Sequence, residues 1–218
     1  MVKKFSDKAN AVLDEIIATR RTIRAFAKEA PPRAAIEALI RAGLQAPYAA
    51  LAVAGRGDFR RFFVFTQGTP ALAEAGRLMR GAAGRRFEEA QRTRGRAAAA
   101  ADRDFQYMDR LKALAEGGHP SLKTAPYFIV VAEYQGIPAA GLQSLAHTLQ
   151  NMWLKATALG LAFQLISVTE AMAEDKDFVQ LLGLPHGDYV LDGCAVGYPA
   201  AGPAPVKRPE AGAATRWM

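Results

Sequence analysis

Four short runs rich in β-branched and aromatic residues, 61–66, 127–134, 163–168 and 189–198, constrain the fold more than any other feature of this chain. A regular strand–helix alternation, which builds a parallel sheet, would space them evenly, and they are not evenly spaced. The reading is therefore an α+β chain with a central mixed or antiparallel sheet of four to five strands flanked by helices. Residues 8–19 carry Ala11, Val12, Leu13, Ile16 and Ile17 at helical spacing. A second helix is expected after Pro31 and Pro32, with Ile36, Leu39, Ile40 and Leu44 along one face and Pro47 closing it. The span 141–160 places Leu145, Leu149, Met152, Trp153 and Ala156 close to a 3.6-residue period and ends on Gly160, so it is expected to be the central buried helix. A shorter helix should end before Pro185.

Between the first two strands, about 71–116, lies an alanine- and arginine-rich stretch that reads as one or two helices with a solvated, charge-paired face. The tail, about 199–218, is rich in proline, alanine and glycine and is expected to run extended over another surface. No repeat or composition break divides the 218 residues, so 1–218 is read as a single domain.

The formal charge of +7 favours an anionic partner, which leaves a phosphorylated cofactor, nucleic acid or an acidic surface. One cysteine, Cys194, inside an apolar run, argues against a disulfide framework and is expected to be a core residue; a reducing, cytoplasmic setting fits. No membrane span is expected, since no stretch of about 18 apolar residues occurs. His119, His147 and His186 lack metal-ligand spacing, so no metal site is expected. Neither a G-x-G-x-x-G fingerprint nor a P-loop is present.

The candidate chemistry lies in Arg20-Arg21-Thr22-Ile23-Arg24-Ala25-Phe26, where a helix stops and the chain turns. Guanidinium forks match phosphate oxygens, and a hydroxyl with free backbone N–H groups can complete a cradle. The competing reading is a basic patch at a helix C-terminus, where arginine favours the negative end of the dipole. A second basic pair, Lys207 and Arg208, lies in the tail.

The order of these features resembles the FMN-dependent nitroreductase family along nearly the whole chain. The family opens with a helix running into R-R-S-x-R-x-F, matched here by R-R-T-I-R-A-F, followed by a helix ending A-P-S, matched by Ala46-Pro47-Tyr48. Ala125-Pro126 precedes a strand, Gln150-Asn151 sits in a helix ending Leu159-Gly160-Leu161, and Gly197-Tyr198-Pro199 precedes the tail's Lys207 and Arg208.

The resemblance implies a nitroreductase-like fold in which 71–116 is the variable helical insertion covering the active site. It implies that FMN is held at its phosphate and ribityl chain by Arg20, Arg21 and Thr22, at its pyrimidine edge by Arg24, and again at the phosphate by Lys207 or Arg208. Pro47, Tyr48 and Ala49 would meet the flavin, and Leu165, Ile166, Ser167 and Val168 would pass along its ring, with a backbone N–H of Ser167 or Val168 directed at N5. It further implies a homodimer and an oxidoreductase that takes hydride from NADH or NADPH and passes electrons to a small organic acceptor, such as a nitroaromatic or quinone, in a ping-pong cycle without a protein nucleophile. The family's asparagine and Q-P-W after A-P-S are missing from 48–59, a departure that leaves open a flavin-binding protein without efficient turnover. Nucleic-acid binding through the arginine-rich helices ranks last, because no helix-turn-helix or aromatic stacking motif accompanies them.

Overall fold

The computed structural model describes residues 3–48, 57–94, 103–202 and 206–218. Its sheet has four strands in the order β1 (Arg60–Thr66), β2 (Tyr127–Tyr134), β4 (Tyr189–Gly197), β3 (Ala162–Leu165), every neighbour antiparallel. The helices are α1 (Asp7–Thr19), α2 (Arg33–Leu44), α3 (Pro70–Arg94), α4 (Arg103–Gly117), α5 (Pro120–Thr124), α6 (Gly141–Ala158), α7 (Lys176–Leu181) and α8 (Ala211–Ala214), with a 3-10 helix at Ser167–Glu174. The α+β expectation holds, with the sheet antiparallel throughout.

Side chains alternate across a strand, so β2 serves two cores at once. Phe128, Val130 and Ala132 face α3, α7 and the 3-10 helix, while Ile129 and Val131 face α2 and α6. Both faces are covered, which is why the strand reads as a nearly unbroken apolar run. Cys194 belongs to the second core and is fully buried, as expected from its surroundings, and burial pushes its thiol well above the ordinary value.

Helix α6 forms as its periodicity requires, with Leu145, Leu149, Met152 and Ala156 at most 2 % exposed. Gly160 takes φ +69°, its N–H donates to Thr157 O (3.1 Å) and the Leu161 N–H to Ala156 O (2.8 Å). That pair of bonds is a Schellman ending, for which a residue with no Cβ is suited. Helix α1 is amphipathic as expected, but its apolar face is uncovered: Val12, Leu13 and Ile17 are each close to half exposed.

Three expectations shift. The strand read at 163–168 stops at Leu165: the Ile166 N–H makes one last bond to β4, at Gly193 O (2.8 Å), and the Thr169 N–H then turns the chain back onto Ile166 O (3.0 Å). The Thr169 hydroxyl reinforces that turn by donating to the same carbonyl (2.6 Å). Helix α2 ends at Leu44, ahead of Pro47, and the tail carries a short helix, α8, within its extended course. The stretch 71–116 yields two helices; on the first, Arg77 pairs with Glu74 (2.6 Å) and Arg85 with Asp175 (2.5 Å). Among the described residues no helix is long and apolar enough to cross a membrane.

Candidate functional site

Three motifs far apart in sequence meet at one end of the sheet. The Ile23 N–H donates to Phe163 O of β3 (3.2 Å), which lays the segment after α1 along the edge of that strand. Just beyond it, the Ala200 N–H donates to Ala25 O (3.0 Å) and the Ala27 N–H to Tyr198 O (2.9 Å), with Phe26 bridging Pro199. Gly197 has no side chain because none fits: a Cβ there would stand 2.6 Å from Pro126 and 3.0 Å from Phe26. The R-x-F, A-P and G-Y-P motifs are thus one packing junction, and it fixes where the arginines project.

Beside that junction lies a cavity of about 570 Å³ lined by Arg20, Arg21, Thr22, Arg24 and, from the tail, Arg208, with Ile23, Val206 and small residues completing the wall. Its size falls in the roughly 300–1,000 Å³ range of small-molecule sites. Among the described residues, every ionisable group lining it is an arginine. Arg208 Nη2 approaches Arg20 O at 3.4 Å, so the tail returns to the first turn after α1 of its own chain. Burial lowers the Arg20 pKa, and the neighbouring Arg208 and Arg21 charges lower it further. Like charges held together without a carboxylate form a field that an anion relieves.

The arginines are not equivalent. The Arg20 guanidinium stacks over the Trp153 ring, 4.4 Å from its centroid, while the Trp153 Nε1–H donates to Arg21 O (3.1 Å). Arg21 Nη1 instead donates to Ala18 O (2.6 Å) and Arg20 O (2.8 Å), covering carbonyls left open at the end of α1. For Arg21 the geometry is that of the helix-end reading, whereas Arg20, Arg24 and Arg208 make no ion pair among the described residues. Lys207 is exposed and does not line the cavity.

The other sequence-derived positions lie elsewhere. Leu165 ends β3 and Ile166, Ser167 and Val168 follow it, but none of the four is among the residues lining the arginine cavity. Ser167 and Val168 precede the first internal bond of the 3-10 helix, made by Thr169, so their N–H groups are the open donors of a helix start. Pro47 is exposed, and its carbonyl accepts from Arg60 Nη2 (3.3 Å). The Tyr48 hydroxyl donates to Tyr134 O (2.7 Å) and its ring packs on Phe59 at 4.8 Å, so its polar end is committed within the fold. Ala49 lies outside the described residues.

Sequence reasoning passed over several groups near this end of the sheet. Trp153 reads as core from its helical spacing, which hides its role under Arg20. The Ser121 hydroxyl donates to Gln164 Oε1, both buried. His119 stands close enough to Arg24 for that charge to add to burial in lowering its pKa. Asp192, on β4 next to Gly193, is a further case: burial pushes its carboxyl up to about 6, against the bond from the Gly193 N–H (2.7 Å) and helped by Glu170.

The Asp192 shift has a definite sign. The folded carboxyl holds its proton more tightly than the unfolded one, so the burial penalty is absent below about pH 4, where both states are protonated, and is complete above about pH 6. Asp192→Asn keeps the acceptor for the Gly193 N–H and should stabilise the fold by about 1–3 kcal/mol at neutral pH. Denaturant midpoints should show that gain vanishing as the pH falls toward 4. An equal gain at both pH values would contradict the assigned cause.

A nitroreductase from Bacteroides fragilis with bound FMN is 23 % identical with a TM-score of 0.69, covering 94 % of this chain and 98 % of its own. An iodotyrosine deiodinase bound to FMN and 3-iodo-L-tyrosine is 19 % identical with a TM-score of 0.65 over 91 % of this chain and 95 % of that one. A putative NADH oxidase from Clostridium acetobutylicum is 22 % identical with a TM-score of 0.57 over 91 % and 96 %. No curated protein matches the sequence. These likenesses concern the fold; the nitroreductase family model itself matches residues 17–198, from the end of α1 to the Gly197-Tyr198 step, and the chain belongs to the nitroreductase family.

Proposed function

We propose that this protein is an FMN-dependent oxidoreductase whose phosphate grip is the arginine cavity at the end of α1. The observation that carries the reading is the convergence of Arg20, Thr22, Arg24 and Arg208 on one cavity that no carboxylate lines among the described residues. Arg20 and Arg208 hold the phosphate, Thr22 contributes its hydroxyl, Lys207 lies next to the grip, and Arg24 extends toward the pyrimidine edge. Arg21 fixes the turn by closing α1, and Trp153 holds the Arg20 plane. Leu165 to Val168 run beside the ring, with the open N–H groups of Ser167 and Val168 as donors. When bound, the flavin supplies two-electron redox chemistry between a nicotinamide donor, NADH or NADPH, and a small acceptor such as a nitroaromatic or quinone. A fixed cation such as Arg24 stabilises negative charge that develops on a reduced ring.

The working unit is a homodimer. The half-exposed Val12, Leu13 and Ile17 on α1, with Leu142 on α6 and Trp217 in the tail, are apolar surface that a second copy would cover. A monomer by light scattering would count against this part.

The deciding experiment is a spectrum of the purified protein after incubation with FMN and gel filtration, followed by anaerobic addition of NADH or NADPH and then of a quinone. Flavin that co-elutes, bleaches with nicotinamide and recovers with the acceptor is the expected result. A protein that stays colourless sinks the reading. Flavin that co-elutes but does not bleach supports the second reading, a flavin-binding protein without turnover, which the commitment of the Tyr48 hydroxyl to Tyr134 favours.

A further inference from the structure

A second cavity, of about 530 Å³, lies between the β1–α3 turn and the α4–α5 junction. Its polar wall is made by Arg80 from the third turn of α3, His119 from the N-cap of α5, and Lys123 from α5 itself. Among the described residues no aspartate or glutamate lines it, and neither Arg80 nor Lys123 makes an ion pair. On the same helix Arg77 pairs with Glu74 and Arg85 with Asp175, while Arg86 and Arg92, like Arg80, make no ion pair among the described residues.

The walls are tied together. Gln67 Nε2 donates to Lys123 O (3.1 Å) and the Gln67 N–H to Pro126 O (2.9 Å), which joins the α3 side to the α5 side. Gly118 takes φ +72° beside Arg80, whose Cγ and Cδ would lie 3.6 Å from a Cβ there. The arginine stem is thus laid against the loop rather than left to wander. The His119 Nδ1 accepts from the Ser121 N–H (3.3 Å), so the neutral ring carries its proton on Nε2 and is a donor to a further partner. Leu72 and Leu122 supply apolar surface beside these three donors.

We propose that this cavity is a second anion site, separate from the arginine cavity, which takes the phosphate or carboxylate group of a small molecule between Arg80, His119 and Lys123. Two cations and one imidazole donor with no acid among them suit an anion and disfavour a cation. The site shares no lining residue with the arginine cavity of the flavin reading, although the Arg24 charge reaches His119.

The test is an NMR titration of the His119 imidazole in FMN-incubated protein, with inorganic phosphate or acetate added at constant ionic strength set by sodium chloride. An anion beside an imidazole favours its protonated form, so the His119 midpoint should move upward and saturate. The Arg80→Gln, Lys123→Gln double variant changes two exposed side chains and should lose that movement while keeping its flavin. A response to phosphate alone assigns a phosphate-bearing ligand, and a response to both anions a site for either group. A midpoint that does not move, or one that still moves in the double variant, overturns the proposal. Because the readout is His119 itself, a protein that fails to take up FMN leaves this result interpretable.

Discussion

Replacing Arg60 by alanine should lower the stability of the fold by about 3–5 kcal/mol, a large share of the roughly 5–15 kcal/mol that holds a domain together. Arg60 and Glu133 are neighbours in the β1–β2 register and both point to the α2 and α6 face, where they pair at 2.6 Å with 1 % and 0 % side-chain exposure. The remaining guanidinium protons go to the end of α2, with Nη1 donating to Gly43 O (3.0 Å) and Ala46 O (2.9 Å). Gly43 O also accepts the Ala46 N–H (3.0 Å), so the guanidinium adds a second bond at the end of α2, where a fixed cation suits the dipole. The Thr148 hydroxyl stands 3.0 Å from Glu133 Oε1 and 2.9 Å from Ser144 O and gives its one proton to either, while Glu133 Oε2 has no hydrogen-bond partner. Removing Arg60 would therefore leave a buried carboxylate with little else to satisfy it, which is the costly way to break a pair. Arg60→Met combined with Glu133→Leu should recover only part of the loss, because the Gly43, Ala46 and Pro47 carbonyls lose the guanidinium in either case. Urea midpoints decide it, and a loss under about 1 kcal/mol for Arg60→Ala would mean that the pair is not desolvated as the structure has it.

That pair also marks how far the sequence could be read. Glu133 is the one charged residue in the Tyr127–Tyr134 run, and a carboxylate inside an apolar strand signals a buried partner. Its identity was out of reach, because Arg60 lies 73 residues away and pairing register is a tertiary fact. Strands and helices with a clear period were legible, as α6 and β2 show, since burial on one or two faces writes itself into residue spacing. The end of β3 was not legible: Leu165 to Val168 has strand-like composition, and only the turn of Thr169 back onto Ile166 O stops it. For the candidate site, the basic turn at Arg20 to Arg24 was visible as composition. Which of its arginines stay free for a ligand depends on the α1 carbonyls, Trp153 and a tail residue 188 positions later, and none of these is coded locally.

The sorting of those arginines predicts how FMN binding should respond to substitution. On the proposed phosphate grip, Arg20→Ala and Arg208→Ala would each remove a charge-assisted contact worth about 1.5–3 kcal/mol, so each should weaken FMN roughly 10- to 150-fold in an equilibrium titration. Arg21→Ala should change FMN affinity by less than about threefold, since the Arg21 side chain is spent on Ala18 and Arg20 carbonyls; it should instead fray the end of α1. Arg20→Lys keeps the charge but loses the planar fork and its stacking on Trp153, and should fall between wild type and Arg20→Ala. Raising the salt concentration should weaken the wild type more than the Arg20→Ala, Arg208→Ala double variant, because fewer charges remain to be screened. If all three alanine variants lost FMN equally, the cluster would be acting as a diffuse basic patch rather than as a cradle in which Arg20 and Arg208 grip while Arg21 sets the turn.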